Sequence, residues 1–393
     1  MIKNYPYSRQ KVSNQDIKAV VNVMKSDMIT QGPVVKIFET QVAKYTKAKF
    51  SICVNSATSA LHIACIALGF KKKDILWTVP NTFVASSNCA LQLGGKIDFV
   101  DINYETGNID LKLLEQKLVR AKKINKLPKI LVPVHFAGVP TEQDKIWKLA
   151  KKFKFKIIED ASHSLGAKFK NQRVGSCKWS DITVFSLHPV KIITSGEGGI
   201  ANTNDKKLYE IMQQLKNHGI TKNKKKFINK SPGEWYYEQQ LLGLNYRMNE
   251  ISAALGLSQL KKLDKFVNQR NKIANFYNKN LNKKYLVLPK IEKDFYSSFH
   301  LYVIKIKSKN YKILQKKLFE LLRKNNFFVQ VHYLPVHLQP FYRKKFNFKK
   351  NMFWNSEKHA ISSISIPIYP GLSERILHRI KNLINNFLIK NAK

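Results

Sequence analysis

In the first two thirds of the chain, short apolar runs alternate with longer stretches in which apolar residues recur at helical spacing. The short runs predict strands at residues 75–79, 96–100, 130–134, 156–159, 181–187 and 200–203. Helical spacing predicts helices at residues 14–24, through Phe38 and Val42, within residues 55–68 and at residues 142–153. Strands that alternate with helices predict an α/β fold, with a doubly wound and mainly parallel sheet.

The pattern changes after this region. Residues 243–259 turn into an amphipathic helix that we expect to continue to Leu281, and beyond residue 285 the pattern restarts. It predicts a strand at 301–306, a helix at 311–324, a strand at 328–333 and a last helix at 373–389. We therefore expect a large domain over residues 14–255 and a smaller C-terminal α+β domain over residues 256–393. The polar segment 220–240 is predicted to be a surface loop with a lid or interface role.

Charge changes this interpretation little. The 393 residues carry a formal net charge of +43, with nine arginines among 69 basic residues. Such a charge is common in nucleic-acid-binding proteins. However, the lysines are spread along the chain without interleaved aromatic residues, and no zinc-finger or RNP motif is present. We therefore favour no nucleic-acid partner, and expect the positive surface to attract an anionic small molecule such as a nucleotide sugar.

Cysteine content and hydropathy indicate the compartment. The cysteines Cys53, Cys65, Cys89 and Cys177 are scattered and form no CxxC pair, so neither a disulfide framework nor a metal site is expected. No apolar run reaches the roughly 18 residues that span a bilayer, and the first residues lack the apolar region of a signal peptide. The expected location is the cytoplasm, without a membrane association.

Candidate chemistry concentrates in the stretch SLHPVKIITSGEGG, which begins at Ser186. Its lysine, Lys191, follows a buried strand, and open α/β sheets bind ligands at the carboxyl ends of their strands. A lysine amine there can bind the aldehyde of pyridoxal phosphate covalently and act as a base once released. The alternative is one more surface lysine in a lysine-rich chain.

Two further stretches admit both a functional and a structural interpretation. Asp160 ends a strand, where it caps a turn or pairs with a cationic ring nitrogen; His163 is a ligand, a stacking group or a half-buried structural histidine. Ala57 and Thr58 begin a helix whose free N–H groups can hold a phosphate, although the nearby hydroxyl groups can also serve as simple caps.

Six motifs occur in an order that resembles the DegT–StrS family of sugar aminotransferases, which have pyridoxal-phosphate fold type I. They are NSATSAL, PNTFVAS, EDASHSLGA, FSLHPVK, GEGG and NYRMNE, which fall between Asn55 and Glu250, and the resemblance covers essentially the whole chain. The resemblance implies that Lys191 binds the cofactor covalently and that Asp160 pairs with its ring nitrogen. His163 matches a position beside the cofactor.

The same resemblance implies further contacts to the cofactor and the substrate. Phe83 would stack on the ring, while Ala57, Thr58 and Ser186 would hold the phosphate. Asn245 would reach the phosphate from a second subunit, and Arg247 would bind a carboxylate or the sugar nucleotide. These two positions imply a homodimer with shared active sites.

Four segments are similar to one branch of the family: YPYSRQ, ITQGP, PNTFVASSN and QVHYLPVHLQPFYR. The product of that branch is UDP-4-amino-4,6-dideoxy-N-acetyl-β-L-altrosamine, a precursor of pseudaminic acid. That resemblance implies that Tyr7, Thr30, His332 and Tyr333 touch the substrate, which places segment 1–13 near the active site. For His332 and Tyr333 the end of a structural strand is the alternative. The implied reaction takes an amino group from glutamate to the 4-keto group of a UDP-sugar. Another 3- or 4-amino-sugar transaminase of the family, or a lysine-rich nucleic-acid binder, are the alternatives.

Overall fold

The computed structural model describes residues 4–392, and its elements follow the alternation that the apolar pattern predicts. The helices are α1 (Asn14–Met24), α2 (Pro33–Thr46), α3 (Ala57–Ala67), α4 (Ala85–Leu91), α5 (Leu111–Lys123), α6 (Gln143–Phe153), α7 (Lys206–Leu215), α8 (Glu250–Leu260), α9 (Leu263–Asn280), α10 (Tyr311–Lys324), α11 (Pro340–Phe346), α12 (Trp354–Ser362) and α13 (Glu374–Asn391). The strands are β1 (Tyr5–Pro6), β2 (Phe50–Val54), β3 (Ile75–Thr78), β4 (Lys96–Phe99), β5 (Ile130–Leu131), β6 (Lys156–Asp160), β7 (Lys168–Phe169), β8 (Gln172–Arg173), β9 (Ile182–Ser186), β10 (Gly199–Thr203), β11 (Ile220–Thr221), β12 (Glu238–Gln239), β13 (Leu286–Val287), β14 (Phe295–Tyr296), β15 (Tyr302–Ile306), β16 (Phe327–Phe328) and β17 (Ser363–Ile366).

Seven strands form the central sheet, in the order β2-β10-β9-β6-β5-β3-β4. The strands from β9 to β4 are parallel, whereas β10 is antiparallel to both β2 and β9. Alternate strand residues face opposite sides, so α3, α4 and α7 cover one face and α2, α5, α6 and α8 cover the other. The predicted α/β fold with a mainly parallel sheet is confirmed.

A second apolar core lies around the antiparallel sheet β13-β15-β17, which α9, α10 and α13 cover. Its buried side chains begin at Ile273 in α9, whereas α8 packs on α1 and α2. The boundary predicted at residues 255–256 falls inside α8. The expectation of one continuous helix to Leu281 is wrong, because the helix is interrupted at Lys261 and Lys262, between the end of α8 and the start of α9.

The strand predicted at residues 328–333 is also wrong, because only Phe327 and Phe328 form β16. That short strand pairs in parallel with β1, which places the N-terminal segment beside the smaller core. After Phe328 the chain no longer pairs with β1. The backbone N–H of Tyr333 donates at 2.9 Å to the Oδ1 of Asn81, which lies in the part of the chain that contains the central sheet. Val329 is buried in the smaller core and His332 is buried farther along, whereas Phe328 and Gln330 are exposed, so the stretch is not buried as one strand.

Three features of this fold converge at one edge of the central sheet. β6 and β9 are parallel neighbours, so Asp160 and the loop after Ser186 leave the sheet at the same edge. The start of α3 follows the end of β2 nearby, and residues 330–333 approach from the smaller core. Among residues 4–392, no helix combines the length and apolar character that crossing a bilayer requires.

Candidate active site

A cavity of about 430 Å³ lies where these segments meet. It brings together most of the residues singled out from the sequence, which come from six separate segments: Tyr7, Ala57, Thr58, Phe83, Asp160, His163, Ser186, Lys191, His332 and Tyr333. Thr30, Asn245 and Arg247 do not line it. His188 and Glu197 line it as well, so the cavity contains an amine, two carboxylates, three histidines and two tyrosines at the carboxyl edge of a parallel sheet.

Lys191 lies in a tight loop that several backbone hydrogen bonds fix. Its own N–H donates to His188 O at 2.9 Å, and the hydroxyl of Thr194 donates to Leu187 O at 2.9 Å. From the N-terminal segment, the hydroxyl of Ser8 donates to Val190 O at 2.7 Å. The backbone on the N-terminal side of Lys191 is therefore tied to a segment almost two hundred residues earlier in the chain.

The amine of Lys191 is poorly hydrated in this cavity. Burial lowers its pKa from 10.5 to about 8, and the nearby Asp160 carboxylate only partly opposes that shift by attracting the ammonium form. A substantial fraction of the amine is neutral near physiological pH as a result. A neutral amine is the form that attacks an aldehyde and that can accept a proton.

Asp160 is buried at the end of β6, with both carboxylate oxygens engaged. The hydroxyl of Ser86 donates to Oδ2 at 2.6 Å, and the backbone N–H of Ser162 donates to Oδ1 at 3.1 Å. Ser86 is in turn hydrogen-bonded to Thr82 at 2.8 Å between hydroxyl oxygens. These bonds stabilise the ionised carboxylate and fix its orientation toward the cavity, which suits an acid that pairs with a cationic ring nitrogen.

His163 is held as a neutral ring. Its Nδ1 accepts the backbone N–H of Ala137 at 3.3 Å, so Nε2 carries the proton and faces the hydroxyl oxygen of Tyr333 at 3.0 Å. Burial, with a smaller contribution from the positive charge of Lys191, holds the pKa of His163 well below its usual range. The ring of His300 lies 4.4 Å from that of His163, measured between centroids.

His332 and Tyr7 form the wall opposite the sheet. Their ring centroids are 4.7 Å apart in an edge-on arrangement, and His332 Nδ1 lies 2.8 Å from the hydroxyl oxygen of Ser365. Burial and the charge of Lys191 lower the pKa of His332 to about 3, so this ring is also neutral. Burial raises the pKa values of Tyr7 and Tyr333, which keeps both hydroxyl groups protonated.

The start of α3 forms a cradle for an anion. Ser56 caps the helix by accepting the N–H of Ser59 at 3.1 Å, which leaves the N–H groups of Ala57 and Thr58 without intrahelical acceptors. A Cβ at Gly199 in β10 would lie 2.3 Å from Ser56 O and 2.5 Å from Ala57 N, so only glycine permits this approach. Free N–H groups at a helix start bind phosphate.

These residues fit pyridoxal phosphate. The phosphate cradle, the fixed carboxylate of Asp160 and the amine of Lys191 line one cavity, and Phe83, whose side chain is 61% exposed, stands at its edge. Bound there, the cofactor would supply a ring that accepts electrons from the substrate carbon. Within residues 4–392 no group of His, Cys, Asp or Glu side chains is arranged to hold a metal ion, and the cysteines are all buried and free.

The sequence of this chain matches the profile of the DegT/DnrJ/EryC1/StrS aminotransferase family over residues 10–385. The chain belongs to this family. Among its relatives is a protein of Campylobacter jejuni named UDP-4-amino-4,6-dideoxy-N-acetyl-beta-L-altrosamine transaminase, 38% identical over 388 residues and 98% of each chain.

Solved structures of the family superimpose on nearly the whole chain. PseC of Helicobacter pylori, an aminotransferase involved in the biosynthesis of pseudoaminic acid, is 31% identical with a TM-score of 0.88, covering 99% of this chain and 100% of its own. A sugar aminotransferase from Streptococcus pneumoniae, solved in its PLP form, is 26% identical with a TM-score of 0.88 and 99% coverage of both chains. The predicted cofactor, pyridoxal phosphate, is confirmed, and this member of the family is a sugar aminotransferase.

The three predicted residues outside the cavity lie on other surfaces. Thr30 is exposed in the segment before α2. Arg247 forms a β-bridge with Val54 at the end of β2, and Asn245 forms one with Asn217, to whose Oδ1 Arg247 Nη1 donates at 2.6 Å. Their assignment to a site shared with a second subunit stays a prediction, as do the individual roles of the residues that line the cavity.

Sequence reasoning missed the residues that support the site from outside it. Arg270 is fully buried in α9 and donates to the carbonyl oxygens of Phe299, His300 and Ile368 at 3.2, 3.2 and 2.6 Å. It also donates to Ser8 Oγ at 3.2 Å, and Ser8 in turn holds Val190 beside Lys191. The sequence could have indicated this role of Arg270 only through an arginine at an apolar-facing position of a helix, because the residues that it contacts are remote in sequence.

Proposed function

We propose that this protein transfers an amino group from glutamate to the 4-keto group of a UDP-2-acetamido-2,6-dideoxy-4-hexulose. The product would be UDP-4-amino-4,6-dideoxy-N-acetyl-β-L-altrosamine. The observation that carries the proposal is Lys191 in a cavity with Asp160, in a chain 38% identical over 98% of its length to a relative named for this reaction.

The lysine distinguishes amino transfer from dehydration. The resemblance to the DegT–StrS family implies that its dehydratase members carry histidine at the position of Lys191, and a histidine cannot bind the aldehyde covalently. Here the amine is present, and its pKa of about 8 lets it accept a proton from the donor carbon and return one to the acceptor side. Both half-reactions would use the same amine, which predicts ping-pong kinetics.

Asp160 would act throughout by holding a positive charge on the ring nitrogen. Its orientation depends on Ser86 Oγ and the Ser162 N–H, which do not have to move during the reaction. A preorganised carboxylate of this kind stabilises charge without reorganisation at the moment of proton transfer. The N–H groups of Ala57 and Thr58, with the hydroxyl of Ser186, would hold the phosphate.

The sugar would lie against the wall formed by Tyr7, His332 and Tyr333. Because burial keeps both tyrosines protonated and His332 neutral, this wall offers hydrogen bonds without a formal charge. A neutral wall suits a hexose ring with an acetamido group. The diphosphate is expected farther out, where Thr30 and Arg247 would contact it in a homodimer.

Exposed apolar side chains support the dimer. Ile228, Trp235 and Leu242 lie in residues 220–244 and are 81%, 76% and 85% exposed in the single chain. Large apolar residues grouped on one segment mark an interaction surface. The same segment leads directly into Asn245 and Arg247, so an interface here would bring both residues toward a second copy.

The test supplies the purified protein with glutamate and the 4-keto product of a UDP-GlcNAc 5-inverting 4,6-dehydratase. Mass spectrometry and NMR then identify the amine. We expect the β-L-altro 4-amine from the wild type and none from Lys191→Ala. Mixing Lys191→Ala with Arg247→Ala should restore activity if hybrid dimers rebuild one intact site.

The outcomes separate the alternatives. An amine formed only from a dTDP-ketosugar, or at C3, would reassign the substrate within nucleotide-sugar transamination. A wild-type protein that binds pyridoxal phosphate but has no borohydride-reducible bond at Lys191 would refute amino transfer altogether.

A further inference from the structure

A second cavity of about 870 Å³ lies apart from the catalytic cavity, and no residue lines both. Arg9 and Lys11 of the N-terminal segment line one side, and Arg375 and Arg379 of the first turns of α13 line the other. No aspartate or glutamate lines it. Four basic side chains without a nearby acidic lining residue give this cavity a positive electrostatic potential.

The arginines in this cavity stand out against the composition. The chain uses nine arginines among 69 basic residues, yet three of the nine line this one cavity. Where only a positive charge is needed, this chain almost always has lysine. Arginine offers a planar fork of donors that matches the oxygens of a phosphate in pairs, which lysine cannot do.

Two of the three arginines and one tyrosine of the cavity lack side-chain partners among residues 4–392, whereas Arg379 donates to Asn325 O at 3.1 Å. Arg9 and Arg375 are exposed and form no ion pair or hydrogen bond with another side chain of residues 4–392. Tyr369 is only 6% exposed, lines the cavity, and its hydroxyl likewise has no partner in the described chain. Burial raises the pKa of Tyr369 to about 12, so the hydroxyl remains a donor at neutral pH.

We propose that this second cavity binds a nucleoside diphosphate. Its forked guanidinium groups suit two phosphate groups, and its volume, about twice that of the catalytic cavity, exceeds what inorganic phosphate requires. The half-buried ring of Tyr5 offers apolar surface for a nucleoside, and the hydroxyl of Tyr369 offers a hydrogen-bond donor. The proposal does not rest on the proposed reaction, because none of these residues belongs to the catalytic cavity.

The test titrates the holoenzyme calorimetrically with UDP, and with pyrophosphate in parallel. The variant Arg9→Gln/Arg375→Gln removes two guanidinium groups that have no side-chain partner among residues 4–392. Lys381→Gln/Lys390→Gln removes the same amount of charge from α13, outside the cavity, and serves as the control. We expect the arginine variant to raise the Kd for UDP at this site at least 10-fold, and the lysine control to leave it within twofold.

If the catalytic cavity also binds UDP, the wild type should bind two molecules per chain and the arginine variant one. If the proposed reaction is wrong, the wild type should bind one molecule and the arginine variant none, so the two failures are distinguishable. Unchanged UDP binding in the arginine variant, or equal weakening in the lysine control, would overturn the site. Pyrophosphate that binds as tightly as UDP would overturn the nucleoside assignment.

Discussion

The ionisation of Lys191 provides a direct measure of the environment that the cavity creates. Burial lowers its pKa from 10.5 to about 8, a shift of about 2.5 pKa units. Each pKa unit changes the neutral fraction tenfold, so at neutral pH the neutral fraction of Lys191 is roughly 300 times that of an ordinary lysine. The net shift disfavours the ammonium form by roughly 3 kcal/mol, at 1.36 kcal/mol per pKa unit, and the lost hydration alone is larger than this net value. Asp160 opposes this loss, since its negative charge favours the ammonium form.

The perturbation is Asp160→Asn, examined in protein from which the cofactor has been removed. Without the carboxylate the ammonium loses its attraction, so the pKa of Lys191 should fall below the wild-type value of about 8. Labelling with acetic anhydride across pH 6–11, followed by peptide mass spectrometry, reports the neutral fraction at each lysine. Exposed Lys261 in the same sample is the internal reference.

Two results would refute this reasoning. A wild-type labelling midpoint near 10.5 for Lys191 would mean that the cavity does not desolvate the amine. A midpoint that rises in Asp160→Asn would mean that the carboxylate does not interact with the amine as the structure indicates.

Three further variants test the supports of the site. Ser8→Ala removes the bond to Val190 O, and we expect kcat to fall about fivefold while the absorbance of the bound cofactor stays unchanged, because a net hydrogen bond contributes about 1 kcal/mol. Arg270→Met leaves three buried carbonyl oxygens without their donor and should lower the free energy of urea unfolding by about 3 kcal/mol or more; a loss under 1 kcal/mol would contradict the role of Arg270. Gly199→Ala should raise the Kd for pyridoxal phosphate at least 10-fold in a fluorescence titration, because its Cβ would meet the start of α3 at 2.3 Å. Gly32→Ala, whose nearest contact is a side-chain atom at 3.1 Å, is its control and should leave that Kd unchanged.

Much of the site follows from local pattern and one topological rule. Apolar runs located β6 and β9, and the rule that ligands bind at carboxyl ends of parallel strands places Asp160 near Lys191 once those strands are neighbours. The adjacency itself is not encoded locally. The resemblance to a known family, based on the order of the motifs, implied that these strands are neighbours. In the structure, ten of the predicted residues line one cavity.

The remaining features depend on contacts between remote segments. Nothing in the spacing around Arg270 or Ser8 indicates that they meet, because each partner lies elsewhere in the chain. The break between α8 and α9 has no glycine or proline to mark it, so helical spacing continues through Lys261 and Lys262. In the stretch 328–333, Val329 is buried in the smaller core and His332 is buried three residues later, while Gln330 between them is exposed; this spacing of buried residues resembles a strand in sequence although no strand forms.

Burial also determines which group in the cavity responds to pH. It lowers the pKa values of His163, His300 and His332, the last to about 3, and raises those of Tyr7 and Tyr333. At neutral pH these three buried histidines are therefore neutral and both tyrosines are protonated, so the five side chains carry no charge. Lys191, with a pKa of about 8, loses its proton as the pH rises through that value. Beside these uncharged side chains, the amine of Lys191 is the group that can carry out the proton transfer that amino transfer requires.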